Sequence, residues 1–233
     1  MHMSTIDTKS PANLGLEKPK PLWARYTHGH HWRSSTDEFD GCKTGFWLFL
    51  ATEILLFAGI FCAYALFRAL YPAAWAEGSG SLDWRWGGLN TVILLISSYT
   101  MAASIYCFQT NQQSRARLNL IITFVCGVLF LAIKFSFEYL PKWLEGKRPG
   151  DLFTYPFATD PNMPLWWSVY YTGTSLHALH VIIGMILIAR VFFRSLKGHY
   201  GPTHYTYPEL TGLYWHIVDL IWIFLFPLLY LIH

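Results

Sequence analysis

Glu53, Lys134, Glu138, His177, His180, His216 and Asp219 are ionisable side chains set inside otherwise apolar stretches of this sequence. Carboxylates and imidazoles within reach of one another can pass protons, and imidazoles on two helices can hold haem iron. A charge at the centre of a bilayer costs at least ~2.5–3.5 kcal/mol on insertion scales, so each of these groups calls for a reason. One reason is structural, because a hydrogen bond between membrane helices contributes ~0.6–2 kcal/mol and fixes their packing. His177 and His180 stand three apart, on one helix face with Gly173 and Gly184, where glycines let helices approach closely. His216 and Asp219 share that spacing, and Lys134 and Glu138 are four apart, which permits an ion pair or snorkelling to the interface.

The elements that carry these residues are five apolar runs, near 45–70, 89–108, 118–140, 165–193 and 210–232. Each meets or exceeds the ~20 residues a helix needs to cross ~30 Å of hydrocarbon. Their connectors hold the breakers: Tyr71-Pro72 with Gly78-Ser79-Gly80, Asn111-Gln112-Gln113, Pro141 through Pro164, and Gly198 through Pro208. The fold predicted is all-α, a polytopic membrane bundle of five transmembrane helices (45–233) behind a polar amino-terminal tail (1–44). A β-barrel would show short alternating strands. Charged residues make up only 13% of the chain, about half the share usual in soluble domains. No Lys/Arg block is dense enough for nucleic acid, and residues 1–39 hold no apolar core of a secretory signal. Cys42, Cys62, Cys107 and Cys126 fit no metal spacing and read as buried thiols. The tail, with Pro11, Pro19, Pro21 and the cluster His28, His30 and His31, has little to pack against and reads as solvated or held by a partner.

Basic residues set the orientation. With the amino terminus in the cytoplasm, that side receives Lys9, Lys18, Lys20, Arg25, Arg33, Lys43, Arg115, Arg117, Arg190, Arg194 and Lys197; the other receives only Arg68, Arg85, Lys142, Lys147 and Arg148. The positive-inside rule therefore places the carboxyl terminus outside. Glu53 then lies roughly 12 Å from the cytoplasmic end of its helix, and His216 and Asp219 roughly 9–14 Å from theirs. Because the fourth helix runs inward, Glu53, His177, His180, His216 and Asp219 are expected to form one polar layer, with Lys134 and Glu138 as a second group nearer the outside. His180 with His216 is a candidate haem pair, but no Cys-x-x-Cys-His motif or copper-ligand cluster occurs. Proton or quinone chemistry stays open, although no transporter-type repeat is evident.

Five segments carry a resemblance. They are Gly45 through Phe57 (GFWLFLATEILLF), Leu89-Asn90-Thr91, Phe137-Glu138-Tyr139, Tyr171-Thr172-Gly173 with His177 through Gly184 (HALHVIIG), and Tyr214 through Phe224 (YWHIVDLIWIF). In order and across all five runs they resemble subunit III of haem–copper respiratory oxidases. Two amino-terminal helices of the larger form are missing, so the likeness is to the five-helix bacterial variant. Lys134 departs from the pattern, which has a neutral polar residue there.

The resemblance implies a subunit without a redox centre of its own. Haem and copper would reside in subunits I and II, and this chain would pack on subunit I in a bacterial cytoplasmic membrane. The complex would reduce dioxygen, pump protons and take electrons from cytochrome c or quinol. Glu53 matches the family's reactive buried carboxylate, and the implied roles are protection from turnover inactivation and support of proton uptake. Bound phospholipid and a larger respiratory supercomplex are compatible with it. An accessory subunit of a nitric oxide reductase or quinol oxidase, and an independent haem-binding membrane protein or proton transporter, are the alternative readings.

Overall fold

The computed structural model describes residues 20–232; Lys9, Pro11, Lys18 and Pro19 of the tail lie outside them. The helices are α1 (Ser35–Leu70), α2 (Pro72–Gly80), α3 (Trp84–Gln109), α4 (Gln113–Ile133), α5 (Leu140–Leu144), α6 (Met163–Leu196) and α7 (Thr206–Tyr230). A π-helical turn, Lys134–Tyr139, joins α4 to α5. Five stretches are long and apolar enough to cross a membrane: α1, α3, Gln113–Leu144, α6 and α7. The protein is a membrane bundle of five spanning helices, as its apolar runs predict.

Three boundaries differ from the sequence pattern, each for a local reason. Helix α1 begins ten residues before the apolar run, because Ser34 Oγ accepts the Asp37 N–H at 3.1 Å and Asp37 and Glu38 sit in the positive first turn. Helix α2 fills a stretch that reads as breakers. Pro72 opens it at a position where a helix tolerates proline, and Gly78 lies under Trp166, where a Cβ would come within 2.3 Å of the ring. The turn before α5 widens where Pro141 can give no N–H to the helix, and the Leu140 N–H bonds back to Phe135 O.

Helix α6 ends at Gly198 (φ 72°), whose N–H reaches Ser195 O while the His199 N–H reaches Arg194 O. Asn111 (φ 59°) plays the same part after α3, which lets α3 and α4 turn back on one another. Helices α6 and α7 form the middle of the bundle: α7 meets α3, α6 and α1, and α4 meets α3 and α6. Gly184 makes the α6–α7 approach, since a Cβ there would lie 2.7 Å from the Trp215 ring. Trp215 and Trp222 spend their indole N–H groups on Ser97 Oγ (3.0 Å) and Thr91 Oγ1 (3.1 Å) of α3. Helix α1 packs only on α6, α7 and α2 and buries a narrow stripe, so Cys62 on its outer face is exposed; of the cysteines only Cys107 is fully buried. All four thiols are free.

Part of the tail is held by its own chain. The Leu22–Arg25 turn crosses the α6–α7 connection: the Trp23 N–H donates to Gly198 O at 3.1 Å, and the Trp23 ring rests on Gly201, where a Cβ would sit 2.5 Å away. Tyr26 stacks on His204 at 3.7 Å and donates to Glu38 at 2.9 Å. His28, His30 and His31 remain exposed beyond this strap.

Burial lowers the His204 pKa; Glu38 pulls the other way, and His199 and Arg194 add to the lowering. The folded strap therefore favours the neutral ring. Its hold is full above the ordinary value of 6.5 and weakens as pH falls below it. Relative to its rate on an unfolded reference peptide at the same pH, trypsin should cut at Arg25 and Arg33 faster at about pH 5.5 than at about pH 7.5. His204→Gln should flatten that difference, as read by limited proteolysis of the detergent-purified complex.

Candidate functional site

Glu53 of α1 and His180 of α6 meet inside the membrane span, with His180 Nε2 2.8 Å from Glu53 Oε2. His180 Nδ1 lies 2.7 Å from Leu176 O, and because a carbonyl only accepts, Nδ1 carries a proton. A single proton then lies between Nε2 and the carboxylate. On either side of that bond the pair has no net charge, which lowers the cost of carrying it into hydrocarbon. Phe57 presents its edge to the imidazole at 5.1 Å and Tyr214 lies parallel at 6.4 Å, so the pair has aromatic walls. The Glu53 side chain keeps 19% of its surface accessible, at the rim of the α1–α6 contact.

The other members of the expected layer occupy different places. His216 points toward α3, with Nδ1 2.7 Å from Ser98 Oγ. Asp219, one turn further, is buried, and neither of its oxygens has a hydrogen-bond partner among the described residues; it does not pair with His216. His177 is fully buried and edge-on to Phe130 at 5.5 Å, with Trp222 at 5.2 Å, and both its nitrogens lack partners. These polar residues face separate neighbours: His180 toward α1, His216 toward α3, and His177 into the centre.

Nearer the far end, Lys134 and Glu138 form a buried ion pair that does not snorkel outward. The π-helical turn carries both residues. Lys134 Nζ donates to Tyr230 Oη at 2.6 Å and Tyr170 Oη at 3.2 Å, and both phenols donate to the same Glu138 oxygen, Tyr170 at 3.0 Å. The rings of Tyr139, Tyr170, Trp222 and Tyr230 surround the ammonium, 5.0–5.6 Å from it. Trp222 is thus a wall of this cage and a neighbour of His177, which ties the central histidine to the second group. Tyr170, Tyr230 and Ser98 are not marked out by the pattern of apolar runs. A polar-tipped residue in each apolar run facing a buried charge was the available signal.

His180 spends both nitrogens within the protein, so the His180–His216 arrangement does not fit a haem pair. Among the described residues no three His, Cys, Asp or Glu side chains converge as a metal site.

Removing one partner of a buried pair strands the other. Lys134→Met should cost about 3–5 kcal/mol, and adding Glu138→Gln should recover most of it. Thermal unfolding of the detergent-purified complex would measure both steps.

The model of the family described as cytochrome c oxidase subunit III matches residues 24–233, nearly the whole chain. Cytochrome c oxidase subunit 3 of Synechocystis sp. is 35% identical over 206 residues, covering 88% of this chain and 79% of that protein. The protein of the same name from Thermostichus vulcanus is 33% identical over 189 residues, 81% of this chain and 86% of its own. The matched residues include Glu53, the Lys134 cage and the His180 helix. With the five-helix bundle and the intramembrane carboxylate–imidazole pair, it places the chain in the cytochrome c oxidase subunit III family.

Proposed function

We propose that this subunit III packs against the oxygen-reducing subunit of its haem–copper oxidase and keeps that subunit active through many turnovers. Its means is a proton-exchanging Glu53–His180 pair on the amino-terminal side of the membrane. The observation that carries the reading is that pair: a carboxylate and an imidazole 2.8 Å apart within a membrane span, neutral in both proton positions. The shared proton can shift between carboxylate and imidazole with no change in the pair's net charge, so the site holds a mobile proton in hydrocarbon at low cost, and the bond stiffens the α1–α6 contact. Haem and copper belong to the partner subunits, where they supply oxygen reduction; this chain supplies packing, water exclusion and a protonatable flank. Cytochrome c is the electron donor that the names of the relatives suggest.

The bacterial cytoplasmic membrane is the proposed location, with the amino terminus inside. Lys43, Arg115, Arg117, Arg190, Arg194 and Lys197 lie at the amino-terminal end of the bundle, against Arg68, Arg85, Lys142, Lys147 and Arg148 at the other, and this supports that orientation.

Glu53→Gln keeps the shape and a hydrogen bond to His180 but removes the exchangeable proton. The variant oxidase should assemble with its full haem content and a near-normal initial rate, and then lose activity several-fold sooner during continuous turnover. Oxygen consumption followed to inactivation checks this; identical initial rates together with identical lifetimes would refute the role.

A further inference from the structure

A cavity of about 370 Å³ opens beneath the strap, between the first turns of α1 and α7 and the last turn of α6. That volume lies within the range usual for small-molecule sites. Its α1 wall is Glu38 and Cys42, which precede the apolar run that begins near residue 45. The cavity therefore faces the aqueous side of the interface and not the acyl chains.

One side of it is a platform of rings. Tyr26, His204, Tyr200 and Tyr207 follow one another in near-parallel planes, 22°, 26° and 5° apart, with centroids 3.7, 6.3 and 6.5 Å from one ring to the next. All four line the cavity, and such a platform accepts a planar heterocycle by stacking. The Glu38 carboxylate lines it too and can accept a hydrogen bond from a ring amino group.

The cavity also holds unspent donors. Tyr200 is 1% exposed, and its hydroxyl has no hydrogen-bond partner among the described residues. Burial raises the Tyr200 pKa, against the pull of Arg194 beside it, so the phenol keeps its proton to donate. The Arg194 guanidinium pairs with no carboxylate among the described residues. His199 lines the same space and offers a ring N–H. A guanidinium and a phenol side by side suit the oxygens of a phosphate, as the rings suit a base.

We propose that this cavity binds a soluble nucleoside monophosphate, its base stacked on the ring platform and its phosphate held by Arg194 and Tyr200. Leu22 and Tyr26 form the strap's share of the walls, so occupancy clamps the strap onto the α6–α7 connection. Glu53 lies 11 residues beyond Cys42 on α1, roughly 16 Å along the helix, and the site does not depend on the role assigned to the Glu53–His180 pair.

The test uses the intact oxidase purified in mild detergent and titrated with adenosine monophosphate. Native mass spectrometry counts the bound nucleotide, and maleimide labelling mapped to peptides reports how far Cys42 is covered. One adenosine monophosphate should bind, slow the labelling of Cys42 at least tenfold, and slow tryptic cleavage at Arg25 several-fold. Adenosine, which lacks the phosphate, and dioctanoyl phosphatidylglycerol, which lacks the base, should each act at least tenfold more weakly. Arg194→Gln should weaken the nucleotide at least tenfold and Tyr200→Phe several-fold, with haem content and initial oxidase rate as in wild type. Protection by adenosine or by the lipid that equals protection by the nucleotide overturns the proposal, as does unchanged affinity in either variant. So does a Cys42 that stays unreactive without nucleotide while the mass spectrum shows no adduct, the result expected if a partner subunit fills the cavity.

Discussion

Hydrocarbon offers no hydrogen-bond partner, and the bundle is built around that fact. Every polar group that a helix takes into the membrane must be satisfied from within the protein or left at a cost. The Lys134–Glu138 pair shows the constraint most fully. Its ammonium and one carboxylate oxygen take Tyr170 and Tyr230 from two further helices, with Tyr139 and Trp222 closing the walls. The same requirement sends the Trp215 and Trp222 indoles to hydroxyls of α3 and His180 to Glu53. Helix positions are thus set by where polar tips can meet, while the apolar stripes fill the space between.

The two polar groups differ in what they can do. The Lys134 cage is enclosed by aromatic rings and holds its charges in fixed bonds, which suits a fastening. The Glu53–His180 pair keeps part of the Glu53 side chain accessible and has a proton that can sit on either partner, the basis of the exchange proposed for it. Asp219, His177 and Asn90 remain buried with neither side-chain polar atom hydrogen-bonded among the described residues. A supporting subunit needs no reacting centre to matter to its complex. Stiff helices, a dry flank and a neutral protonatable pair are each within reach of these residues.

Much of this was readable from the order of residues. Long apolar runs determine five spanning helices almost without reference to tertiary structure, since only helices or closed barrels satisfy the backbone in lipid. Charged residues within those runs marked both polar groups. Periodicity could not say which way each helix is turned, and so His177, His180 and His216 were grouped by depth although they face different neighbours. Hydropathy also hid the polar first turns of α1, although Ser34 and Asp37 carry a capping signal, and it read Pro72 and Gly78 as loop when one starts a helix and the other seats Trp166. The strap over the α6–α7 connection rests on long-range contacts of Trp23 and Tyr26, which no local pattern encodes.

As proposed, this chain supports an oxidase and has no redox centre of its own, and optical spectroscopy tests that most directly. Reduced-minus-oxidised spectra would be recorded for the complex purified through a tag on this chain, and for the chain expressed alone. Haem bands in the complex and none in the lone chain are the predicted result. A stoichiometric haem band from the lone chain would contradict it.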